Sequence, residues 1–464
     1  MFVGRKTELE SLNKAYRKSS FQFPVIYGRR RVGKTELIKE FIKDKKAIYF
    51  VAIQGTLQEN LELLSKEILS ILAPNAPQNS FQTFIEAMEY VFSAAKNERI
   101  VLCIDEYPYL VETDRSISSI IQNLIDAHQE QNQLFFILCG SSMSFMEEQV
   151  LGYKSPLYGR RTGQYKILPL DYLTASQMIP GYSNQDKILL YSVTGGIPEY
   201  LKRIDTNLTV QENIQDLFFD PSGRLFEEPH NLLKQELKFP QTYYALITAI
   251  ADGKSRISEI ATKTGIETSQ ASKMLQTLIG LGIVKKEMPI SEKSTNKKTI
   301  YLLEDLMFVF WFRFVRPNLS KITMGMGNLV LENIWENQFL AHVGMSFEVC
   351  SKQYLWEQMR NNSKDFQFQE VGRWWGNNPK EKREEEIDIV AVGENTCYFG
   401  ECKWRNKNLS LEVFHELEKK SALIANKKEK VYVLFSKSPF SLAILEIQEQ
   451  RNDLVLVSVD DMFG

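Results

Sequence analysis

Between Pro24 and Glu40 the chain reads PVIYGRRRVGKTELIKE, and this stretch narrows the possible folds more than any other. The apolar residues Val25, Ile26 and Tyr27 run into Gly28, and Gly33, Lys34 and Thr35 follow at the GxxxxGK[ST] spacing. Leu37, Ile38, Phe41 and Ile42 then recur at helical intervals, so the expected order is strand, glycine loop, helix. Gly28 and Gly33 let the backbone curl until several N–H groups point inward at phosphate oxygens. The helix N-terminus adds its positive end. Lys34 is placed to reach the β- and γ-phosphates, and the Thr35 hydroxyl to ligate Mg²⁺. The whole loop, Gly28, Arg29, Arg30, Arg31, Val32, Gly33, Lys34, Thr35 and Glu36, is the expected cradle for ATP.

Alternating short apolar strands and helices surround this loop. Ala47 to Ile53 reads as a strand, Leu57 to Leu72 and Phe81 to Ala95 as helices, and Ile100 to Ile104 and Leu134 to Leu138 as buried strands. That rhythm predicts a mostly parallel, helix-covered sheet. Asp105 and Glu106 end one strand, where ligand crevices open in such sheets. Asp105 is expected to hold Mg²⁺ and Glu106 to polarise an attacking water. Ser141, at the tip of the next strand, is expected near the γ-phosphate or that water. Arg160, with Arg161, is a candidate for stabilising charge on the transferring phosphoryl group, in cis or from a neighbouring subunit of a homo-oligomer. Thr194 to Tyr200, TGGIPEY, reads as a tight corner and a candidate pocket lid.

Bulk composition limits the rest. The 464 residues carry a formal net charge of −2, so any nucleic-acid contact rests on local patches and not on a global field. Five scattered cysteines without zinc-like spacing suggest reduced thiols and a cytoplasmic setting. The most apolar stretch, Leu306 to Val315, is too short to span a bilayer, so no membrane partner is expected.

The segments VGRKTEL, YGRRRVGKTEL, CIDEYPYL, CGSSMSFM, PLYGRR and TGGIPEYL, in this order, resemble the archaeal-type ATPases of the AAA+/STAND group across residues 1–235. The resemblance implies an ATP-driven switch, with Val3 and Gly4 near the adenine. It also implies a sheet in which another strand separates the Asp105 strand from the phosphate-loop strand. Beside that pattern, Arg29 to Arg31 are equally placed to contact phosphate or another domain.

After Pro240 the pattern becomes helix, helix, turn, helix, hairpin, that of a winged helix-turn-helix over 236–318 with its connecting aromatic helix. The second helix of the pair, Ser269 to Leu281, would turn Gln270, Ser272, Lys273 and Gln276 outward. Met274, Leu275, Leu278 and Ile279 would face the core. Residues 241–300 hold nine Lys/Arg against five Asp/Glu, a surplus that suits DNA, while protein docking stays open. The run Leu303 to Asn318, dense in aromatics, is expected to be a packed interdomain helix. It also matches a region of unknown function commonly appended to archaeal-type ATPases.

In residues 319–464 Glu386 to Val392 and Cys397 to Trp404 read as a hairpin carrying Asp388 and Glu401-x-Lys403. Glu401 and Lys403, two apart, share one strand face. Two carboxylates and a lysine suit a metal-dependent phosphodiesterase: Asp388 and Glu401 as Mg²⁺ ligands, Lys403 to orient or deprotonate water. The D-x(n)-ExK pattern resembles the PD-(D/E)xK nuclease superfamily, with Glu348 matching its upstream helix acid. Ile387 stands where that pattern has proline, and Glu384 to Glu386 make an acidic run unusual for a DNA-facing surface. The expected architecture is therefore α/β: a P-loop NTPase with a parallel sheet, a winged helix, and a restriction-endonuclease-like domain. Two functions follow: a switch that gates DNA engagement and cleavage, or a STAND-type signalling or scaffold ATPase whose C-terminal domain binds protein or DNA without cutting.

Overall fold

The computed structural model describes residues 2–75, 80–290, 298–361, 365–424 and 428–464. Two compact units divide the chain, Met1–Pro169 and Leu170–Gly464.

The first unit is built on five parallel strands: β1 (Pro24–Tyr27), β2 (Ala47–Val51), β3 (Val101–Asp105), β4 (Phe135–Gly140) and β5 (Gly163–Lys166). β1, β3 and β4 are buried along their whole length, as continuous apolar runs in a helix-covered parallel sheet require. Their order is β2-β3-β4-β1-β5, so β4 separates the Asp105 strand from the phosphate-loop strand as the resemblance implies. That insertion sets three strand tips side by side at one edge: the loop after β1, Ser141 after β4, and Asp105 closing β3. Helix Leu57–Leu72 occupies its expected span, begun by a reciprocal Thr56–Glu59 capping box.

The second unit opens with helices Asn184–Thr194, Val210–Phe218 and Glu228–Glu236. The corner after the first of these needs two successive left-handed residues, Gly195 (φ 62°) and Gly196 (φ 69°). At Gly196 a Cβ would also lie 2.0 Å from the Leu170 carbonyl oxygen.

Helices Pro240–Ala251, Ile257–Thr264 and Thr268–Gly280 follow, then the antiparallel pair β6 (Val284–Glu287) and β7 (Ile300–Leu303). This is the winged helix-turn-helix order. Ser258 has the residue type of a helix cap, and the sequence reads it as the cap of a helix Glu259 to Lys263, but it lies inside the middle helix. The helix starts at Ile257, and Glu259 accepts from the Arg256 and Ser255 amides instead. On the second helix of the pair Gln270, Lys273 and Gln276 are exposed and Ser272 half-buried, while Ala271, Met274, Leu275 and Leu278 are buried. The expected wing tip, Ser291 to Lys298, falls outside the described residues except for Lys298.

The aromatic run is helical from Leu306 to Asn318, and its winding changes along the way. It forms Leu306–Phe310, a wide turn over Trp311–Val315, and a tight turn over Arg316–Asn318. Its rings still form the expected packed joint. Phe310 meets Phe218 and Phe219 from the preceding helices, and Phe312 meets Tyr244 of the winged helix. Phe310 and Phe314 both contact His342 on helix Phe339–Arg360. His342 is fully buried, its Nε2–H donates to the Ser192 carbonyl at 3.1 Å, and burial pushes its pKa down to about 4.

The C-terminal sheet is mixed, with order β12-β11-β10-β9-β8. β9 (Arg383–Val392) runs antiparallel to both β8 (Glu370–Asn378) and β10 (Thr396–Lys403). β10, β11 (Glu429–Ser436) and β12 (Leu454–Ser458) are parallel, joined by helices Leu411–Ser421 and Leu442–Gln450. No described helix is long and apolar enough to cross a membrane.

Gly196→Ala is expected to destabilise the protein by about 2 kcal/mol or more, since it combines a left-handed backbone with a direct clash. Urea unfolding followed by circular dichroism measures it; an unchanged midpoint would show that the corner tolerates a side chain.

Candidate functional site

The loop after β1 closes on its own lysine. Gly33 (φ 93°) and Arg31 (φ 73°) are both left-handed, which folds the chain back over the start of helix Lys34–Ile42. Lys34 is 6% exposed, and its ammonium donates to the Gly28 and Arg29 carbonyls at 2.8 and 3.0 Å. Val32 is fully buried under the loop, Arg29 is nearly so, and Glu36 is exposed. Arg30 donates to the Tyr109 hydroxyl at 2.7 Å and sits 6.0 Å from that ring. Val3 and Gly4 are drawn to the same region by Arg5, whose guanidinium donates to the carbonyls of Val32 (2.9 Å) and Leu168 (2.5 Å).

Asp105 is 2% exposed and fully engaged. Its Oδ2 accepts from the Thr35 hydroxyl at 2.9 Å and from the Tyr49 hydroxyl at 2.7 Å; its Oδ1 accepts from the Glu106 amide at 2.9 Å. Glu106 is itself left-handed (φ 52°), an uncommon conformation for a residue with a side chain. The Ser141 hydroxyl donates to its carboxylate, 2.7 and 2.9 Å from the two oxygens. So Thr35, Asp105, Glu106 and Ser141 come together at the sheet edge. Arg160 is engaged elsewhere: it grips Asp126 with two nitrogens at 2.8 and 2.6 Å and also donates to the Pro156 and Tyr158 carbonyls.

Mg²⁺ fits this donor set. A hydroxyl and a carboxylate 2.9 Å apart are oxygen ligands suited to a hard cation that keeps further positions for phosphate and water. Among the described residues no cluster of three or more His, Cys, Asp or Glu is placed to cage a metal.

A second polar cluster lies in the C-terminal sheet. Lys403 Nζ and Glu401 Oε1 are 2.6 Å apart, as residues two apart on one strand face should be, and Lys420 approaches the other Glu401 oxygen at 3.6 Å. Across the hairpin, Asp388 Oδ2 accepts from the Cys402 amide at 2.9 Å. Burial, and then the Glu401 charge, push the Asp388 pKa up to about 6. Burial, and then Asp388, push Glu348 up to about 7. Burial works against the Lys403 ammonium, but Glu401 and Asp388 outweigh it and hold its pKa above the usual value. Two residues of the acidic run are paired: Glu385 is 2.8 Å from Arg383, and Glu386 contacts Arg373.

Arg373, on β8, was not singled out by its sequence. It lies 3.9 Å from Glu348 and 3.5 Å from Glu287 on the wing strand β6, while its carbonyl accepts from the Ile290 amide at 2.9 Å. The wing is thereby tied to the carboxylate cluster. Tyr49 was missed too; its only signal was a hydroxyl on a strand beside β3.

The sheet order, the phosphate loop and the acids at the strand tip define a P-loop nucleoside triphosphatase. Residues 2–204 match a family described as an ATPase domain predominantly from Archaea. Residues 245–287 match the IclR helix-turn-helix domain, and 311–422 a family of archaeal and bacterial proteins of unknown function. An uncharacterized protein of Methanocaldococcus jannaschii is 32% identical over 467 residues, covering 99% of this chain and 100% of its own. An uncharacterized ATP-binding protein of the same organism is 52% identical over 46 residues, 10% of this chain and 78% of that one. Among solved structures, a Walker-type ATPase of Pyrococcus abyssi aligns with a TM-score of 0.49 at 18% identity, covering 67% of this chain and 96% of that one. The chain belongs to the archaeal-type ATPase family and is an ATP hydrolase with an appended C-terminal domain of unknown function.

The raised Glu348 pKa has a thermodynamic sign. The folded state favours the protonated acid, so this stability is present below the ordinary value of 4.5 and lost as pH rises through about 7. Glu348→Gln should flatten the fall in melting temperature between pH 4.5 and 7. An unchanged slope would mean that Glu348 is not held protonated.

Proposed function

We propose that this ATPase is a Mg²⁺-dependent switch whose nucleotide state governs DNA engagement by the winged helix and Mg²⁺-dependent cleavage at the C-terminal carboxylates. The observation that carries the reading is the convergence of Thr35, Asp105, Glu106 and Ser141 on one sheet edge. The parts we assign are a nucleotide domain with a helical lid (1–235), the winged helix and aromatic joint (236–318), and a nuclease-like domain (319–464).

In this reading Lys34 gives up the loop carbonyls for phosphate oxygens, and the amides of Gly28 to Thr35 wrap the phosphates. Thr35 and Asp105 hold Mg²⁺, which supplies positive charge against the phosphate oxygens. Glu106, released from Ser141, accepts a proton from the attacking water. Arg160 must leave Asp126 before its charge can serve the phosphoryl group, in cis or across a homo-oligomer. Val3 and Gly4 border the adenine.

Lys273, Gln270, Ser272 and Gln276 face the major groove, and the wing touches backbone. Because Arg373 spans Glu287 and Glu348, a wing displaced by a duplex alters the surroundings of the helix acid. At the hairpin Asp388 and Glu401 supply two carboxylates for a divalent ion, and Lys403 a cation for the strained phosphate. A second reading has one specific support: Glu401 is already neutralised by Lys403 and Lys420, which suits a fold that binds DNA or protein without turnover. The free cysteines suit a cytoplasmic setting.

ATP hydrolysis and plasmid nicking, assayed side by side with Mg²⁺ and Mn²⁺, test both halves. Lys34→Ala should cost about a hundredfold or more in hydrolysis. Asp388→Asn and Lys403→Ala should spare hydrolysis and abolish nicking. Nicking that persists in both would refute the nuclease half; salt-dependent DNA binding without any nicking would leave the second reading standing.

A further inference from the structure

Three of the donors to the Asp105 carboxylate, the Thr35 hydroxyl, the Glu106 amide and the Tyr49 hydroxyl, differ in what they are attached to. Thr35 stands on the first turn of the helix after the phosphate loop, whose lysine, in the function proposed above on which this inference rests, exchanges its carbonyls for phosphate. The Glu106 amide belongs to a left-handed residue at the start of helix Tyr107–Thr113. Tyr49 comes from the neighbouring strand β2, and the Cys139 thiol on β4 also reaches Asp105 from the other side. Register pairs Tyr49 with Cys103 and pairs Val51 with Asp105, so its phenol leans diagonally along the sheet to reach Oδ2 at 2.7 Å. Diagonal neighbours on adjacent strands lie within reach of an aromatic side chain. The chain continues the same pairing past β2, where the Ala52 amide donates to the Asp105 carbonyl at 2.9 Å. Both the backbone and the carboxylate of Asp105 are thus referenced to β2.

The Thr35 hydroxyl has one proton, and it is spent on Asp105; its lone pairs are what a cation would use. Without Tyr49, Oδ2 would keep the Thr35 hydroxyl as its hydroxyl donor, on a residue next to the nucleotide. We propose that Tyr49 is a positioning residue for ATP hydrolysis: its hydroxyl anchors Asp105 Oδ2 to the sheet independently of the phosphate loop. It acts through Asp105 and touches neither substrate nor reacting atoms. Hydrogen bonds to an ionised carboxylate are stronger than neutral ones, which gives this contact the weight to set a rotamer.

Tyr49→Phe removes the hydroxyl and keeps the ring, which is half-buried at the sheet edge. In the full-length protein kcat should fall about tenfold, while ATP affinity measured in EDTA stays within about twofold and the melting temperature is retained. Mn²⁺ binding to the complex with a non-hydrolysable ATP analogue, followed by electron paramagnetic resonance, should weaken several-fold. In an Asp105→Asn background the same change should add less than about twofold to the loss. Unchanged kcat with unchanged Mn²⁺ affinity would overturn the proposal. So would a tenfold loss undiminished in the Asp105→Asn background, or a loss matched by equal weakening of metal-free ATP binding, since Tyr49 would then act by another route.

Discussion

The carboxylate of Asp105 is the contact on which the first unit turns. It is nearly sealed from solvent, yet it joins the phosphate loop through Thr35, the edge strand through Tyr49 and the next helix through the Glu106 amide. A buried charge is costly unless each oxygen is satisfied, and here each oxygen is. The arrangement depends on β4 standing between β1 and β3. With β1 and β3 adjacent, no strand tip would separate Asp105 from the loop, and Ser141 would have no place from which to hold Glu106. Strand order, a property of the whole sheet, therefore decides which side chains meet at its edge.

The second unit is organised around aromatic packing. Trp311 is fully buried and donates its indole N–H to the Phe226 carbonyl at 2.7 Å, and Phe310, Phe312 and Phe314 reach three different helical groups. Helical winding carries successive rings around the axis, so one short segment, widened over Trp311–Val315, faces several neighbours. Arg373 is the polar counterpart. It lies among Glu287, Glu348 and Glu386, which belong to the wing strand, the long helix and β9. A single side chain thus links the wing strand of the helix-turn-helix to the carboxylates of the C-terminal sheet.

Much of this was legible in the residues. The glycine loop, the acids after β3, the serine after β4 and the Asp388/Glu401/Lys403 hairpin sit where spacing and alternation put them, because those patterns are local. β8 was not foreseen: Glu370 to Asn378 mixes glycines, tryptophans and asparagines, and its pairing with β9 carries a register shift between Gly372 and Trp374. The start of helix Ile257–Thr264 was misplaced because Ser258 looks like a cap, whereas Glu259 closes the helix from inside. Tyr49 and Arg373 were invisible for a deeper reason. Each matters through a partner from a different element, and only the assembled sheet shows which partner that is.

The account holds that Asp105 serves the chemistry of ATP and not merely the packing of the sheet edge. Parallel measurement of ATP binding and divalent-dependent hydrolysis in Asp105→Asn separates these, because the amide keeps the size and much of the hydrogen bonding while losing the charge. Binding retained with hydrolysis reduced about a hundredfold is the expected result. Hydrolysis at the parent rate would contradict the account.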